Sequence, residues 1–382
     1  MDFDLSPAER AFRDELRAWL RAHRPAWADE EDEPSRSGWL ERQVAWQRTL
    51  YEAGYLGLAW PREYGGRGAT LMEQVIFSQE MVEARAPDPI NVIGLGMAGP
   101  TIIAWGTEDQ KRRYLSKILN AEEIWCQGFS EPNAGSDLSA LQTRAIDRGD
   151  HYEVSGQKVW TSLAHVARWC LLLTRERDEA NPRHGLTYLI VDMHSPGIEV
   201  RPLRQMTGEA EFNEVFFDRV RVPKAQVLGR PGEGWAVAIT TLLHERGTLG
   251  MALATRAGIT AQEVIELARA SGRGHDRLLR QRVAQHYIEA RALQLNGYRA
   301  ITRMEKTGIP GPEGSIMKLF WSELNQRMQE TAMEILGLAG AGSAGRWRYG
   351  FLRSRGNTIE AGTSEILRNT LAERVLGLPR SR

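Results

Sequence analysis

The chain changes its hydrophobic period twice, and these two changes constrain its fold more than any other feature. Apolar residues recur at helical spacing in the first third, gather in short β-branched and aromatic runs in the middle third, and return to helical spacing in the last. Ser6-Pro7-Ala8-Glu9 is a capping box with proline at the first helical position, so the chain is predicted to open with an amphipathic helix. The order of patterns predicts an α+β protein with separate helical and strand-rich parts.

The predicted elements follow from these patterns. Further helices of the first third are predicted at 39–53, 71–83 and 107–119. Six predicted strands, close enough in sequence for hairpins and a small sandwich or barrel, cover 124–130, 151–162, 167–174, 186–193, 198–203 and 214–222. Long helices that suit a bundle are predicted at 235–270, 278–306 and 316–338. The predicted domains are an N-terminal helical domain at 1–120, a β domain at 121–232 and a C-terminal helical domain at 233–382.

Charge, cysteine content and hydropathy exclude several classes of protein. Lysine plus arginine equals aspartate plus glutamate at 49 each, so no net charge attracts nucleic acid or an anionic membrane. Cys126 and Cys170 form no Cys-x-x-Cys pair, which argues against a disulfide framework or structural zinc and fits a reducing compartment. The acidic start lacks a signal peptide, and no apolar run approaches the roughly 18 residues of a membrane span. We therefore expect a cytoplasmic protein without a metal site.

One apparent nucleotide motif is rejected. Gly94 to Gly99 formally matches G-x-G-x-x-G, but this fingerprint requires a preceding strand and a βαβ unit. Prolines at 87, 89 and 100 flank the segment, and no alternating strand and helix pattern continues. The small residues are predicted to allow close helix contact.

Two segments suit a phosphate or heterocyclic ligand. Gly362 followed by Thr363, Ser364 and an apolar stripe indicates a loop leading into a capped helix, whose first N–H groups are free for a ligand. The loop 130–137, directly after a strand, combines hydroxyls and small residues that allow close backbone approach. Ordinary helix capping and a plain β-turn are the respective alternatives.

Two further segments carry side chains of chemical interest. Trp160 is flanked by hydroxyl residues on a predicted strand, and core packing is its alternative role. Within a predicted helix, His244-Glu245-Arg246 begins like the zinc motif H-E-x-x-H, but Thr248 replaces the second histidine, so metal binding is not supported. The alternative for Glu245 is a solvated helix charge.

Taken together and in this order, the segments resemble the acyl-CoA dehydrogenase family over essentially the whole chain. The segments that carry the resemblance are the glycine-rich loop 54–68, 130–137, 157–162, 221–223 and 362–369. The resemblance implies an α-helical domain, a β domain and a four-helix-bundle-like domain, with FAD as cofactor. It implies α,β-dehydrogenation of an acyl-CoA thioester, in which a carboxylate removes the α proton and a hydride passes to flavin N5. It also implies an electron-transfer flavoprotein as acceptor, a role in fatty acid or lipid metabolism, and a homotetramer.

The resemblance also implies the residues of the flavin end of the site. Phe129 and Ser130 match positions that hydrogen-bond the isoalloxazine edge, and Ser136 matches a hydroxyl that reaches the FAD phosphate. Trp160 matches the tryptophan beside the flavin, and Ser162 matches the hydroxyl that contacts N5.

Near the C-terminus, Thr363 and Glu365 match the family's second FAD-contacting segment, at the dinucleotide end. The commonest family pattern has its catalytic glutamate where this chain has Ala361, whose backbone N–H can still donate to the thioester oxygen. A minority of the family carries the glutamate before a helix arginine of the acyl-CoA pocket, as Glu245 precedes Arg246 here. Glu245 is therefore the predicted base, with Glu360 ranked second.

Several alternatives stay open at this point. Ala361 also fits a non-catalytic partner subunit of a heteromeric acyl-CoA dehydrogenase, and the same fold can serve a flavin oxidase or monooxygenase. Altered residues at 273–277 and 336–340, where the family contacts FAD, weaken the expectation of a homotetramer. The acyl chain and the choice between CoA and a carrier-protein thioester cannot be read from the sequence.

Overall fold

The computed structural model describes residues 4–29, 38–176, 185–246, 249–307, 311, 313–342 and 345–380. The chain forms two compact units. The first, called the helical unit, combines residues 1–24, 70–86 and 246–382, and the second, called the sheet unit, combines 25–69 and 87–245. The predicted three-domain boundaries remain a prediction.

The helices and strands of the described residues confirm the order of helix, strand and helix. The α-helices are α1 Pro7–His23, α2 Trp39–Glu52, α3 Leu71–Glu83, α4 Gly99–Trp105, α5 Glu108–Leu119, α6 Gly234–Arg246, α7 Leu249–Ala270, α8 Arg277–Thr307, α9 Glu313–Leu336, α10 Leu338–Gly342, α11 Arg346–Asn357 and α12 Ser364–Arg374. The strands are β1 Trp125–Gly128, β2 Arg144–Asp147, β3 His151–Ser162, β4 Trp169–Arg175, β5 Leu186–Asp192, β6 Ile198–Leu203 and β7 Phe212–Pro223.

The first helix begins as its sequence predicts. The Ser6 hydroxyl accepts the Glu9 N–H at 3.3 Å, and the Glu9 carboxylate accepts the Ser6 N–H at 2.6 Å, so two otherwise unpaired donors are satisfied. Phe12, Leu16 and Leu20 recur at helical spacing and are buried. Within the helical unit this apolar face packs α1 against α3.

The helical unit is organised around α7, α8 and α9, which pack on one another. Their shared core contains small and apolar residues such as Ala257, Val264, Leu293 and Leu324. The third helix of the chain, α3, packs on α7, while α11 and α12 pack on α9. The C-terminal segment 358–363, which connects α11 to α12, is thereby anchored on a helical scaffold.

The described residues of the sheet unit form a seven-stranded sheet in the order β1-β4-β2-β3-β7-β6, with β5 paired to β4. The long strands β3 and β7 pair antiparallel, with register shifts between Val154 and Gly156 and between Lys158 and Thr161. Strand β1 pairs parallel with β4, and Cys126 lies opposite Cys170; both cysteines are free and buried. Although β4 and β2 lie between them in the strand order, the end of β1 is close to β3, since the Val159 N–H donates to the Ser130 carbonyl at 2.9 Å.

The glycine-rich segment that resembles a nucleotide fingerprint is helical. Gly94–Ala98 forms a π-helical turn that continues into α4. A Cβ atom at Gly99 would lie only 1.9 Å from the Trp60 ring, so this glycine allows close packing against the loop 54–68, whereas the prediction was close packing against a helix. Among the described residues, no helix is long and apolar enough to cross a membrane.

Candidate functional site

The end of β1 carries the first predicted flavin segment. The Phe129 ring is buried and packs edge-on against Tyr188 at a centroid distance of 5.7 Å. The Ser130 carbonyl accepts the Val159 N–H at 2.9 Å, which fixes this residue beside β3. The Ser130 hydroxyl is half-buried and makes no hydrogen bond to another residue in the described ranges. Its backbone is therefore held while its side chain stays available to a ligand.

A buried ion pair that sequence reasoning missed lies behind Ser130. The Lys158 ammonium is fully buried, and Nζ is 2.9 Å from the Phe129 carbonyl oxygen and 2.9 Å from Glu131 Oε1. The Glu131 carboxylate also accepts the N–H groups of Gln142 at 2.6 Å and Thr143 at 2.9 Å. The sequence did contain a signal for this pair. Lys158 is at an inward-facing position of β3, and Glu131 follows β1.

Burial and pairing act on the two charges in different ways. Desolvation lowers the pKa of Lys158, although the neighbouring Glu131 charge opposes this shift. Desolvation raises the pKa of Glu131, but the Lys158 charge and hydrogen bonds from Thr143, Lys158 and Gln142 outweigh it, so the pKa lies below its ordinary value. Glu131 is thus held as a carboxylate.

The second predicted flavin segment lies at an irregularity of β3. The register shift after Lys158 leaves Trp160 with a φ of 60° and its indole 60% exposed, in edge-on contact with Phe212 at 6.1 Å. The Asn213 side chain donates to the Thr161 carbonyl at 3.0 Å and so holds this irregular segment. Trp160 is therefore a surface platform, and the alternative of a core tryptophan is wrong.

The hydroxyl residues around these strands are available to a ligand. Ser162 is half-buried and Ser136 is exposed, and neither hydroxyl bonds to another residue within the described ranges. Residues 131–134 form a tight turn through reciprocal backbone hydrogen bonds of Glu131 and Ala134. A Cβ atom at Gly135 would meet nothing within 4 Å, so this part of the loop is open to an incoming group.

The C-terminal segment forms a separate group of predicted site residues in the helical unit. Thr363 caps α12, because its hydroxyl accepts the Ile366 N–H at 3.2 Å. Ala361 and Gly362 both have a left-handed backbone, with φ of 51° and 91°, and the Gly362 carbonyl accepts the buried Lys318 ammonium at 2.7 Å. The Ala361 N–H bonds to no other residue that the structure describes. This donor is therefore free.

The second-ranked base candidate is engaged by neighbouring side chains. The Glu360 carboxylate accepts Arg353 Nη2 at 2.8 Å and Asn357 Nδ2 at 2.7 Å. Both oxygens of the Glu360 carboxylate are therefore occupied, Oε2 by Arg353 and Oε1 by Asn357.

A cavity of about 370 Å³ lies beside the start of α12 and is lined by residues of α9 and α12 and by Thr358 at the end of α11. Its lining includes Arg327, Arg368, Glu365 and Ser364. The Ser364 hydroxyl is buried and has no hydrogen-bond partner in the described structure. The exposed Glu365 carboxylate has a lowered pKa because it accepts its own backbone N–H and the Thr363 hydroxyl. Arg327 and Arg368 are ion-paired with Glu289 and Glu323, each at 2.6 Å, so the lining carries both signs of charge beside the unpaired Ser364 hydroxyl.

Two predicted site residues are described only in their backbone. Glu245 and Arg246 end α6, and their side chains lie outside the described part of the structure. Their roles, like those of the other predicted site residues, remain predictions.

The exposed indole and the unpaired hydroxyls suit a large aromatic and polar cofactor, and the scaffold consists of helices, a sheet and further helices. Models of the acyl-CoA dehydrogenase N-terminal, middle and C-terminal domains match residues 6–122, 126–220 and 232–376. The chain belongs to the acyl-CoA dehydrogenase family, whose members are FAD-dependent flavoproteins, and it is an acyl-CoA dehydrogenase.

Known relatives agree with this assignment. Acyl-CoA dehydrogenase IpdE1 of Mycobacterium tuberculosis is 42% identical over 348 residues, which cover 89% of each chain. Among solved structures, the Tcur3481-Tcur3483 steroid ACAD aligns over 100% of both chains with a TM-score of 0.88 and 31% identity. The ChsE4-ChsE5 complex of Mycobacterium tuberculosis aligns over 100% of both chains with a TM-score of 0.87 and 30% identity.

Proposed function

We propose that this chain dehydrogenates a steroid-derived acyl-CoA between its α and β carbons, with Glu245 as the base and the Ala361 N–H as a donor to the thioester oxygen. One observation carries the proposal. The N–H of Ala361 is unpaired among the described residues, while the adjacent Glu360 carboxylate is bound by Arg353 and Asn357. The polarising donor is thus retained at a position where the side chain cannot take a proton.

The donor matters because the α C–H of a thioester is only weakly acidic. As the base removes the proton, negative charge develops on the thioester oxygen, and a preorganised N–H stabilises it. One such donor contributes about 10²–10³-fold to the rate. Ala361 and Gly362 have a left-handed backbone, and the Lys318 hydrogen bond to the Gly362 carbonyl helps to hold the turn that carries this N–H.

Assignment of the base to Glu245 follows from the resemblance and from the state of Glu360. The chain has the helix-borne Glu-Arg pair of the family's minority pattern at 245 and 246. Glu360 would first have to leave Arg353 and Asn357 to act. A positioned base contributes about 10²–10⁴-fold.

The chain's residues suit the two ends of FAD. We assign the isoalloxazine edge to Phe129 and Ser130, the flavin face to Trp160, and the region of N5 to Ser162. Bound FAD supplies the hydride acceptor for the β hydrogen. The exposed Trp160 ring offers a stacking surface, and the Ser130 and Ser162 hydroxyls make no competing internal hydrogen bonds among the described residues.

The dinucleotide end of FAD is assigned to two hydroxyl residues and one acidic residue. We assign Ser136, Thr363 and Glu365 to this end, and Arg246 to the acyl-CoA pocket. The Ser364 hydroxyl, which has no hydrogen-bond partner among the described residues and lines the cavity beside α12, supplies a further polar group for a ribose or pyrophosphate.

The steroid-derived acyl group is supported by the similarity of the whole chain to a structure described as a steroid ACAD. We propose a reducing, cytoplasmic setting because both cysteines are free and buried. An electron-transfer flavoprotein, as in the family, is the proposed electron acceptor.

The proposed active form is an oligomer. On α8, the side chains of Leu278, Tyr287, Ile288 and Leu295 are exposed in the isolated chain. Ile288 and Leu295 are seven residues apart and so lie on the same side of α8, where an exposed apolar pair suits a protein interface. Similarity to the ChsE4-ChsE5 complex favours a related second chain as partner, with a homotetramer as the alternative.

The test is anaerobic reduction of the purified flavoprotein by a panel of acyl-CoAs with steroid, straight and branched acyl groups. Loss of flavin absorbance with a steroid thioester and slower loss with the others is the expected result. If the chain retains FAD and no thioester reduces it, the catalytic proposal is wrong. Rapid reoxidation by oxygen would favour the oxidase or monooxygenase, and FAD retention only after coexpression with a related chain would favour the partner-subunit alternative. Native mass spectrometry of the same preparation gives the oligomeric state.

A further inference from the structure

We propose that Lys158 is a positioning residue that sets the flavin-facing conformation of Ser130 by clamping the residues on both sides of it. The proposal rests on the proposed FAD site, because Ser130 is one of its assigned contacts. No step of the reaction uses Lys158 directly, since its ammonium is fully buried.

The geometry of the clamp is specific to Ser130. Lys158 Nζ donates to the carbonyl of Phe129, which precedes Ser130, and to the carboxylate of Glu131, which follows it, each at 2.9 Å. The next residue of β3, Val159, donates its N–H to the Ser130 carbonyl at 2.9 Å. Three consecutive residues are thus fixed by two neighbouring residues of one strand, while the Ser130 hydroxyl has no bond to another described residue.

The same lysine also links the two flavin segments. Lys158 is the last residue of β3 before the register shift that ends at Thr161, and the exposed Trp160 lies within this shift. The absence of a side chain at Gly128 leaves room for the lysine stem, because a Cβ atom there would lie 3.3 Å from Lys158 Cγ. One side chain therefore couples the ends of β1 and β3.

A purely structural role is the competing explanation. A buried lysine that only neutralises Glu131 would also be required for folding, because removing one member of a buried pair leaves an uncompensated charge. The positioning role and the purely structural role predict different FAD affinities when the charges of Lys158 and Glu131 are removed together.

The experiment compares wild type with Lys158→Met and with the double variant Lys158→Met/Glu131→Gln. The double variant leaves no unpaired charge but also no donor for the Phe129 carbonyl. If Lys158 positions Ser130, the double variant recovers thermal stability relative to Lys158→Met, yet its FAD dissociation constant stays raised by up to about tenfold, as expected when the Ser130 hydrogen bond to FAD is lost. Its bound flavin also has an altered visible circular dichroism spectrum.

Thr174→Val is the control within the same sheet. Thr174 is fully buried, and its hydroxyl donates to the Thr187 carbonyl at 2.9 Å between β4 and β5. Its variant loses a buried hydrogen bond and stability, but it should keep wild-type FAD affinity and flavin spectrum.

Each outcome decides between the explanations. Recovery of stability, FAD affinity and spectrum together in the double variant would overturn the positioning role and leave only charge compensation. Equal FAD affinity and spectrum in Lys158→Met and wild type would also overturn it. If wild type itself binds no FAD, the proposed function fails instead, so the two failures are distinguishable. If Lys158→Met does not fold, the double variant is compared directly with Thr174→Val.

Discussion

Arg353 and Glu360 form an ion pair in which Nη2 lies 2.8 Å from Oε2, and Asn357 donates to the other carboxylate oxygen at 2.7 Å. Glu360 directly precedes Ala361, the position at which the commonest family pattern has its catalytic glutamate. The Glu360 carboxylate lies near the Gly362-Thr363 turn, and its bonds to Arg353 and Asn357 connect this turn to α11.

This arrangement predicts different effects for two glutamate variants. Glu245→Gln should slow anaerobic flavin reduction about 10²–10⁴-fold, since it removes the positioned base. Glu360→Gln should slow it less than about tenfold, because the substituted amide can still accept a hydrogen bond from Arg353. Stopped-flow absorbance with the best thioester measures both rates. The reverse order of effects would make Glu360 the base.

The left-handed conformation at Ala361 predicts an unusual stability effect. An L-residue with a φ of 51° carries a strain of about 1 kcal/mol, which glycine does not have. Glycine also increases the conformational entropy of the unfolded chain, which lowers the free energy of unfolding by roughly 0.4–1 kcal/mol. Ala361→Gly should therefore leave the free energy of unfolding unchanged or raise it by at most about 1 kcal/mol.

Ala284, exposed within α8, provides the matched control for this substitution. Ala284→Gly should lower the free energy of unfolding by about 0.5–1 kcal/mol, as in any helix interior. Urea denaturation of both variants measures the difference. Equal losses in the two variants would show that Ala361 is not strained.

Two glycines near the proposed flavin segments are predicted to differ in how well they tolerate replacement by alanine. A Cβ atom at Gly128 would lie 2.7 Å from Leu172 Cδ1 and 3.2 Å from Cys170 Sγ, whereas one at Gly135 would meet nothing within 4 Å. Gly128→Ala should lower the free energy of unfolding by about 1–3 kcal/mol through overpacking. Gly135→Ala should change it by less than about 1 kcal/mol. Chemical denaturation checks both, and similar values would contradict the packing described at β1.

Much of the fold could be predicted because local signals and tertiary structure agree. The bounds of α3, β3 and β6 match the predicted 71–83, 151–162 and 198–203, where apolar patterning is clear and turn residues flank the runs. Strand β2, Arg144–Asp147, was not predicted, because its four residues are mostly exposed and it is stabilised by pairing with β3. Its stability depends on a neighbouring strand rather than on its own sequence.

The candidate site was predictable in its segments but not in its contacts. Trp160 has the same sequence signal as a core tryptophan, and only the register shift in β3 exposes it. The partners of Glu131 and Glu360 depend on how separate segments meet, since Lys158 is 27 residues away from Glu131 in the chain. Such pairings require the folded backbone.

The buried pair of Lys158 and Glu131 predicts a pH-dependent contribution to stability. Because the pKa of Glu131 is lower in the folded than in the unfolded chain, its contribution is present above the ordinary value of 4.5 and is lost as the pH falls through the folded value. The double variant Lys158→Met/Glu131→Gln lacks both groups. The difference in free energy of unfolding between wild type and this variant should therefore shift in favour of the variant from pH 7 to pH 3, as measured by urea denaturation. A constant difference would show that Glu131 does not have a lowered pKa.

The unpaired hydroxyl of Ser364 predicts opposite changes in stability and cofactor affinity. The hydroxyl is buried without a partner in the described structure, and such an atom costs free energy that a ligand donor or acceptor would restore. Ser364→Ala should raise the free energy of unfolding of the FAD-free protein by about 1 kcal/mol and weaken FAD binding severalfold or more. Calorimetric unfolding of the FAD-free protein and flavin fluorescence titration measure the two effects.

Ser322→Ala is the control for this pair of measurements. Ser322 is also buried, but its hydroxyl donates to the Leu319 carbonyl at 3.0 Å, so its loss should lower stability by about 1 kcal/mol without affecting FAD affinity. The opposite signs of the two stability changes would show that the Ser364 hydroxyl is retained for binding, since it weakens the free protein. If Ser364→Ala also destabilises the FAD-free protein, the hydroxyl has an internal partner and the binding role fails.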